Sequence, residues 1–196
     1  MVELDERALI EKLKKRDEAA FNVFVRRYQE RVFRLLLRML GDRTEAEDLA
    51  QEVFISVFKA IDGFRGDAQL STWVYRVAAN HCRNRIKYLV RRRRQVTDGF
   101  DEQVEEGSLG LPSRPHHDPP DQLMEARQTE HLLQQGLLSL DAEQRELMVL
   151  REVEHLSYEE IMAITGLPEG TVKSRMHRAR AGLRAYIERH ERGTKR

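Results

Sequence analysis

Apolar residues early in the chain recur three and four apart, at Phe21, Phe24, Val25, Tyr28, Val32, Leu35, Leu36 and Met39. That spacing places them on one face of a helix and predicts an amphipathic element over about 18–40. Gly41 and Asp42 stop it. Thr44, with Glu47 three residues on, has the pattern of a capping box and opens a second helix to about Ile61. On that helix Leu49, Val53, Val57 and Ile61 face one way, while Asp48, Gln51, Glu52, Ile55 and Lys59 face the other. A third helix, over about 72–90, can be capped by Ser71 or Thr72. Val74, Ala78, Cys82 and Leu89 share its apolar side. Trp73, Arg76, Asn80, Arg83, Asn84, Lys87 and Arg91 share the opposite side.

The pattern resumes after a long gap. Asp141 with Gln144 reads as the cap of a helix over about 142–154. Ser157 with Glu160 is a capping box for a short helix ending at Thr165-Gly166. Leu167-Pro168 then begins a longer basic helix, with Pro168 near its first position, where a missing N–H donor does no harm. Short helix, glycine turn and basic helix have helix-turn-helix spacing. On the last helix Val172, Met176, Ala179 and Leu183 must pack, so Lys173, Ser174, His177 and Arg178 point outward from its leading end.

Between these regions, 96–122 holds four of the five prolines and shows neither helical nor alternating periodicity. It is expected to be a flexible, extended linker, because proline removes backbone donors and disfavours helix in the residue before it. The predicted fold is all-α: a helical bundle over 1–95, the linker over 96–122, and a helix-turn-helix domain over 123–196. No fixed-period repeat is visible.

Charge changes this picture more than composition does. The 196 residues carry 34 Lys and Arg against 33 Asp and Glu, a formal net charge of +1 that argues against nucleic acid until it is divided by segment. Residues 1–95 hold 21 basic and 14 acidic side chains, and 96–122 hold 1 and 7. Up to Gly170 the last segment has 3 basic and 10 acidic, and from Thr171 onward 9 and 2. The neutral total therefore conceals strongly signed blocks. A single cysteine cannot form an internal disulfide, and the acidic opening has no signal-peptide pattern. No apolar run approaches the roughly 18–20 residues of a membrane span, so a cytoplasmic protein without membrane insertion is expected.

The chemistry on offer is recognition. From Arg76 to Arg94 there are eight basic residues and no acidic one, with Trp73, Asn80 and Asn84 interleaved. Cations neutralise phosphates, asparagine can read base edges, and aromatic rings stack on unpaired bases. Taken alone, Trp73 reads as a core residue, though the face as a whole does not, and the run Arg91–Arg94 could add phosphate contacts or simply end its helix. Asp62-Gly63-Phe64-Arg65-Gly66-Asp67 is a glycine-punctuated loop bearing an aromatic and a cation. Ile55 within the polar stripe of the second helix suits a partner-docking surface, or is an exposed isoleucine without a role.

Four stretches together resemble bacterial sigma factors of the small extracytoplasmic-function (ECF) group. They are Asp48 to Phe54 (DLAQEVF), Phe64 to Asp67 (FRGD), Ser71 to Asn80 (STWVYRVAAN), and Leu156 to Ile161 (LSYEEI) followed by Gly170 to Arg175 (GTVKSR). They stand in order over nearly the whole chain. The resemblance implies a sigma-2 and a sigma-4 domain. It implies that Asp48, Gln51, Glu52, Ile55 and Lys59 dock on the clamp of the largest subunit of core RNA polymerase, with a second contact at the flap. Phe64 and Arg65 would belong to the loop that captures a flipped minus-ten base, and Trp73, Arg76, Asn80, Asn84 and Lys87 would separate and hold the strands. Lys173, Ser174, His177 and Arg178 would read the minus-thirty-five element as duplex. The acidic linker would thread into the polymerase active-site channel. His177 departs from the family, which often carries an apolar or aromatic residue there. An anti-sigma factor is a further candidate partner.

Two other functions are weighed against this one. A polymerase-independent helix-turn-helix regulator would use the last helix but leave the Asp48–Lys59 stripe and the stacking face idle. An enzyme is disfavoured: His81-Cys82 and His116-His117 lack usual zinc-ligand spacing, and no phosphate loop or nucleophile triad appears. No catalytic residue, metal or cofactor is expected.

Overall fold

The computed structural model describes residues 5–97 and 122–194, and among these it contains eight α-helices and no strand. The first, α1 (Glu6–Lys14), was not anticipated; it buries Leu9 and Leu13 beside α2 (Glu18–Leu40). The predicted stripe of α2 is its buried face, from Phe24 through Tyr28, Val32, Leu35 and Leu36 to Met39. Asp17 caps its start by accepting the Ala20 N–H. Gly41 ends it at φ 74°, a left-handed conformation that suits glycine.

The next two boundaries correct the sequence reading. α3 (Arg43–Ala60) is capped by Asp42, whose carboxylate accepts the Glu45 N–H at 2.8 Å, rather than by Thr44. The left-handed Gly41 turns the chain at once, so the helix starts at the first side chain able to cap it. After a 3₁₀ turn, Ile61–Gly63, α4 spans Leu70–Thr97. It starts ahead of Ser71 and Thr72, and the Leu70 N–H is accepted by Glu6 of α1 at 3.1 Å. Arg91–Arg94 continue this helix and do not end it.

α5 (Gln122–Leu138) precedes the predicted helices and was also unanticipated. The linker lies mostly outside the described residues, its first two positions closing α4 and its last opening α5. Asp141 caps α6 (Ala142–Met148) as predicted, its carboxylate accepting the Gln144 N–H at 2.7 Å. The expected single helix to residue 154 instead widens into a π turn, Val149–Val153, and His155 follows at φ 55°. Ser157 and Glu160 form a reciprocal capping box on α7 (Tyr158–Thr165), which Gly166 closes at φ 72°. α8 spans Glu169–Thr194, with the Pro168 carbonyl accepting the Thr171 and Val172 N–H groups.

The two halves lie against each other. α2 and α4 pack on α5, α6 and α7, and the buried apolar side chains of both halves join in one cluster. Gly41 and Leu138 meet closely there: a Cβ on Gly41 would fall 2.6 Å from a Leu138 methyl. Among the described residues no buried side-chain nitrogen or oxygen lacks a hydrogen-bond partner.

Candidate nucleic-acid interface

Three surfaces carry the residues singled out from the sequence. The first is the outer face of α3, where Asp48, Gln51, Glu52, Ile55 and Lys59 are all exposed. Ile55 is 53% exposed inside this polar stripe while Leu49, Val53 and Val57 are buried behind it. Arg85 of α4 anchors the stripe from the side, donating to Glu45 at 2.5 Å and to Glu52 at 2.7 Å. The face is an apolar contact framed by charge, which suits protein docking.

The second surface is the loop before α4 and the helix itself. Arg65, Arg76, Asn80, Asn84 and Lys87 are exposed along it. Phe64 and Trp73 are buried against each other, with ring centroids 5.2 Å apart. The core placement of Trp73 is therefore the one observed in the free chain. Asn80 is engaged by Arg83, which also donates to Glu146 of α6 at 2.9 Å. Burial raises the pKa of Glu146, and the Arg83 charge beside it opposes that rise.

The third surface is the leading half of α8. Val172, Met176 and Ala179 are buried, and Lys173, Ser174, His177 and Arg178 are exposed on the opposite side. Lys173 pairs with Glu169 one turn earlier at 2.6 Å, which raises its pKa and keeps it cationic. The Ser174 hydroxyl donates to the Thr171 carbonyl at 3.1 Å. Arg178 lines a polar depression with Asp141, Glu143, Gln144 and Arg175. An exposed polar turn over a packed apolar stripe is the form in which a helix enters a major groove.

Residues 24–111 match the family model for sigma-70 region 2, and residues 130–183 match that for sigma-70 region 4. The RNA polymerase sigma-H factor of Pseudomonas aeruginosa is 36% identical, over 89% of this chain and 90% of its own. The ECF RNA polymerase sigma-E factor of Escherichia coli K12 is also 36% identical, over 92% and 93%. The chain belongs to the ECF sigma factors. Among solved structures, the sigma factor RpoE of Bartonella quintana, in complex with the anti-sigma factor NepR, matches with a TM-score of 0.60 and 25% identity. That match covers 86% of this chain and 96% of the other.

As an ECF sigma factor the chain is a transcription-initiation factor, and its two regions imply RNA polymerase and promoter DNA as partners. Among the described residues no helix is long and apolar enough to cross a membrane, and no cluster of three metal-ligating side chains occurs. Sequence reasoning overlooked Tyr75, Arg145 and Glu154, which join the halves of this sigma factor. Buried Arg145 gives no periodic signal, because a cation in a helix reads as a solvated side chain.

Proposed function

We propose that this ECF sigma factor divides its work among the three surfaces, over domains at 1–95 and 123–196. The exposed stripe Asp48, Gln51, Glu52, Ile55 and Lys59 docks on the clamp of the largest polymerase subunit, and the second domain engages the flap. Arg65, Arg76, Asn80, Asn84 and Lys87 hold the opened minus-ten strand, with cations on phosphates and amides on base edges. Phe64 and Trp73 offer a ring face to a base only when the loop bearing Phe64 lifts off Trp73 of α4, so their part in base capture is coupled to DNA entry. Lys173, Ser174, His177 and Arg178 read the minus-thirty-five duplex, and the acidic linker occupies the polymerase channel. The chemistry of RNA synthesis stays with the polymerase; this chain supplies no catalytic group, metal or cofactor. It works in the cytoplasm, and an anti-sigma factor controls it, a reading supported by the NepR complex of the similar Bartonella protein.

The observation that carries this reading is the separation of an apolar-centred docking stripe from two outward polar and cationic faces. Asp48→Arg tests it: co-purification with core polymerase should fall at least tenfold while the helical fold is kept. Unchanged retention of core polymerase would refute the docking stripe. A polymerase-independent regulator would instead bind specific duplex tightly without polymerase.

A further inference from the structure

The first helix, α1, has no part in the three surfaces, yet it reaches both ends of the loop that carries Phe64 and Arg65. Nine residues are too few for a helix to persist alone in water, so α1 depends on its packing. Leu9 and Leu13 are buried, and the helix lies on α2 and on the 3₁₀ turn Ile61–Gly63. At the near end of the loop, the Arg16 guanidinium donates to the Phe58 carbonyl in the last turn of α3 and to Asp62 of the 3₁₀ turn, the latter at 2.5 Å. It also lies over the Phe58 ring, 4.7 Å from the centroid. A carbonyl in the last turn of a helix has no partner within that helix, so Arg16 both caps α3 and ties the turn that follows. At the far end, half-buried Glu6 accepts the N–H of Leu70, the first residue of α4, at 3.1 Å. The first turn of α4 has no acidic residue of its own, and α1 supplies the carboxylate that this positive helix end favours.

The backbone of Arg16 points the same way. Its φ of 62° is left-handed, a conformation uncommon for any residue but glycine, and a strained residue at such a position suggests that its side chain has work to do. Between the two anchors, Ile61 and Leu70 are buried and residues 65–69 are all exposed. Phe64 alone of the intervening residues turns inward, onto Trp73. With glycine at 63 and 66 the loop has little stiffness of its own, so its position is set at its ends. We propose that α1 is the brace of this loop: Glu6 and Arg16 are positioning residues that fix the two hinges on which it lifts from Trp73 and closes over a flipped minus-ten base. Fixed hinges let the loop close in one geometry and fit one base; loosened hinges would let it refit around others, as flexible surfaces do. Neither residue touches DNA in this role. The brace rests on the assignment of Phe64 and Arg65 to base capture.

Trp73 is the chain's one tryptophan, so its fluorescence in the free full-length protein reads the Phe64 contact directly. Arg16→Gly suits the left-handed backbone better than arginine does, so its effect comes from the lost side chain. Glu6→Ala removes the acceptor of the Leu70 N–H, while Glu6→Gln keeps an oxygen there. Arg16→Gly and Glu6→Ala should each raise acrylamide quenching of Trp73 by about threefold with helical content kept, the size expected of half-exposed polar contacts. Glu6→Gln should stay near the parent. With core polymerase, on promoters that differ only at the captured base, the same two variants should compress the spread between best and worst base by a similar factor. Selection at minus thirty-five should not change. A variant that merely unfolds part of the protein would lower output on every promoter alike and keep both preferences. Quenching equal to the parent's in both variants, equal loss in Glu6→Gln and Glu6→Ala, or base selection kept by both variants would overturn the brace. Arg65→Ala, at the exposed loop tip, should lose base selection with Trp73 quenching unchanged. Base selection unaffected by Arg65→Ala would overturn instead the base-capture reading, and the Trp73 signal would still decide whether α1 holds the loop.

Discussion

The face of α8 proposed to read duplex and the face of α4 proposed to hold an opened strand have similar side chains but differ in how they are held. On α8, Lys173, Ser174, His177 and Arg178 stand exposed over a packed stripe, with Lys173 and Ser174 bonded within their own helix. On α4, Trp73 is covered by Phe64, while Arg83 bridges Asn80 and a carboxylate of the other half. A duplex reader needs only a rigid helix already in shape for a groove. A strand-holding surface must offer rings and amides to unpaired bases, and here Trp73 and Asn80 are already engaged by Phe64 and Arg83. The difference teaches that cation content alone does not locate a ready nucleic-acid site; the existing partners of each side chain decide it.

The strongest way to break this comparison is to remove the joint behind both faces. Arg145→Met takes away a buried guanidinium bonded to four carbonyls and should cost about 3 kcal/mol or more, read as a lower denaturant midpoint. A midpoint within experimental error of the parent would mean those carbonyls are satisfied by water. Next in size, Arg178→Ala should weaken use of the upstream element by about 1–3 kcal/mol if the guanidinium meets a base bidentately. Equal weakening on every sequence would show a phosphate contact instead.

Smaller changes sharpen the α4 side. Asn84→Ala should leave upstream binding intact and reduce minus-ten opening by roughly 1 kcal/mol, measured as permanganate reactivity of thymines. Unchanged reactivity would remove Asn84 from the strand-holding face. The smallest effect is a pH dependence. The Tyr75 pKa is raised, first by burial and then by its hydrogen bond to Glu154 and the charge of that carboxylate. With the folded pKa above the unfolded value near 10, the contribution is complete below about pH 10 and is lost as pH rises above it. Tyr75→Phe should therefore flatten part of the stability decline above about pH 10, with Tyr28 and Cys82, both also raised, supplying the remainder. A slope identical to the parent would show that Tyr75 ionises as freely in the folded chain as in the unfolded one.

What could be read in the sequence follows from how local its physics is. The faces of α2, α3 and α8 follow from periodicity alone, because burial on one side of a helix repeats every three or four residues. The capping box of Ser157 and Glu160 was legible for the same reason. Asp42 was passed over because Thr44 with Glu47 matches the box pattern, while the left-handed Gly41 that makes Asp42 the cap shows only in the backbone. The break of α6 into a π turn has no periodic mark: Val149, Leu150 and Val153 fit an α-helix equally well. The burial of Trp73 and Tyr75 depends on long-range partners, Phe64 in one case and Glu154 in the other. The exposure of Ile55 among charges was legible because an apolar residue there breaks the usual polar face of the helix.

The central claim, that this chain selects promoters through two separated DNA faces, is tested most directly by transcription from a randomised promoter library with core polymerase and the full-length protein. The account predicts selected transcripts sharing two short sequence blocks at a fixed spacing of about two and a half helical turns. The Arg178→Ala variant should relax only the upstream block. Transcripts without sequence selection at any salt concentration, or selection of a single block, would contradict it.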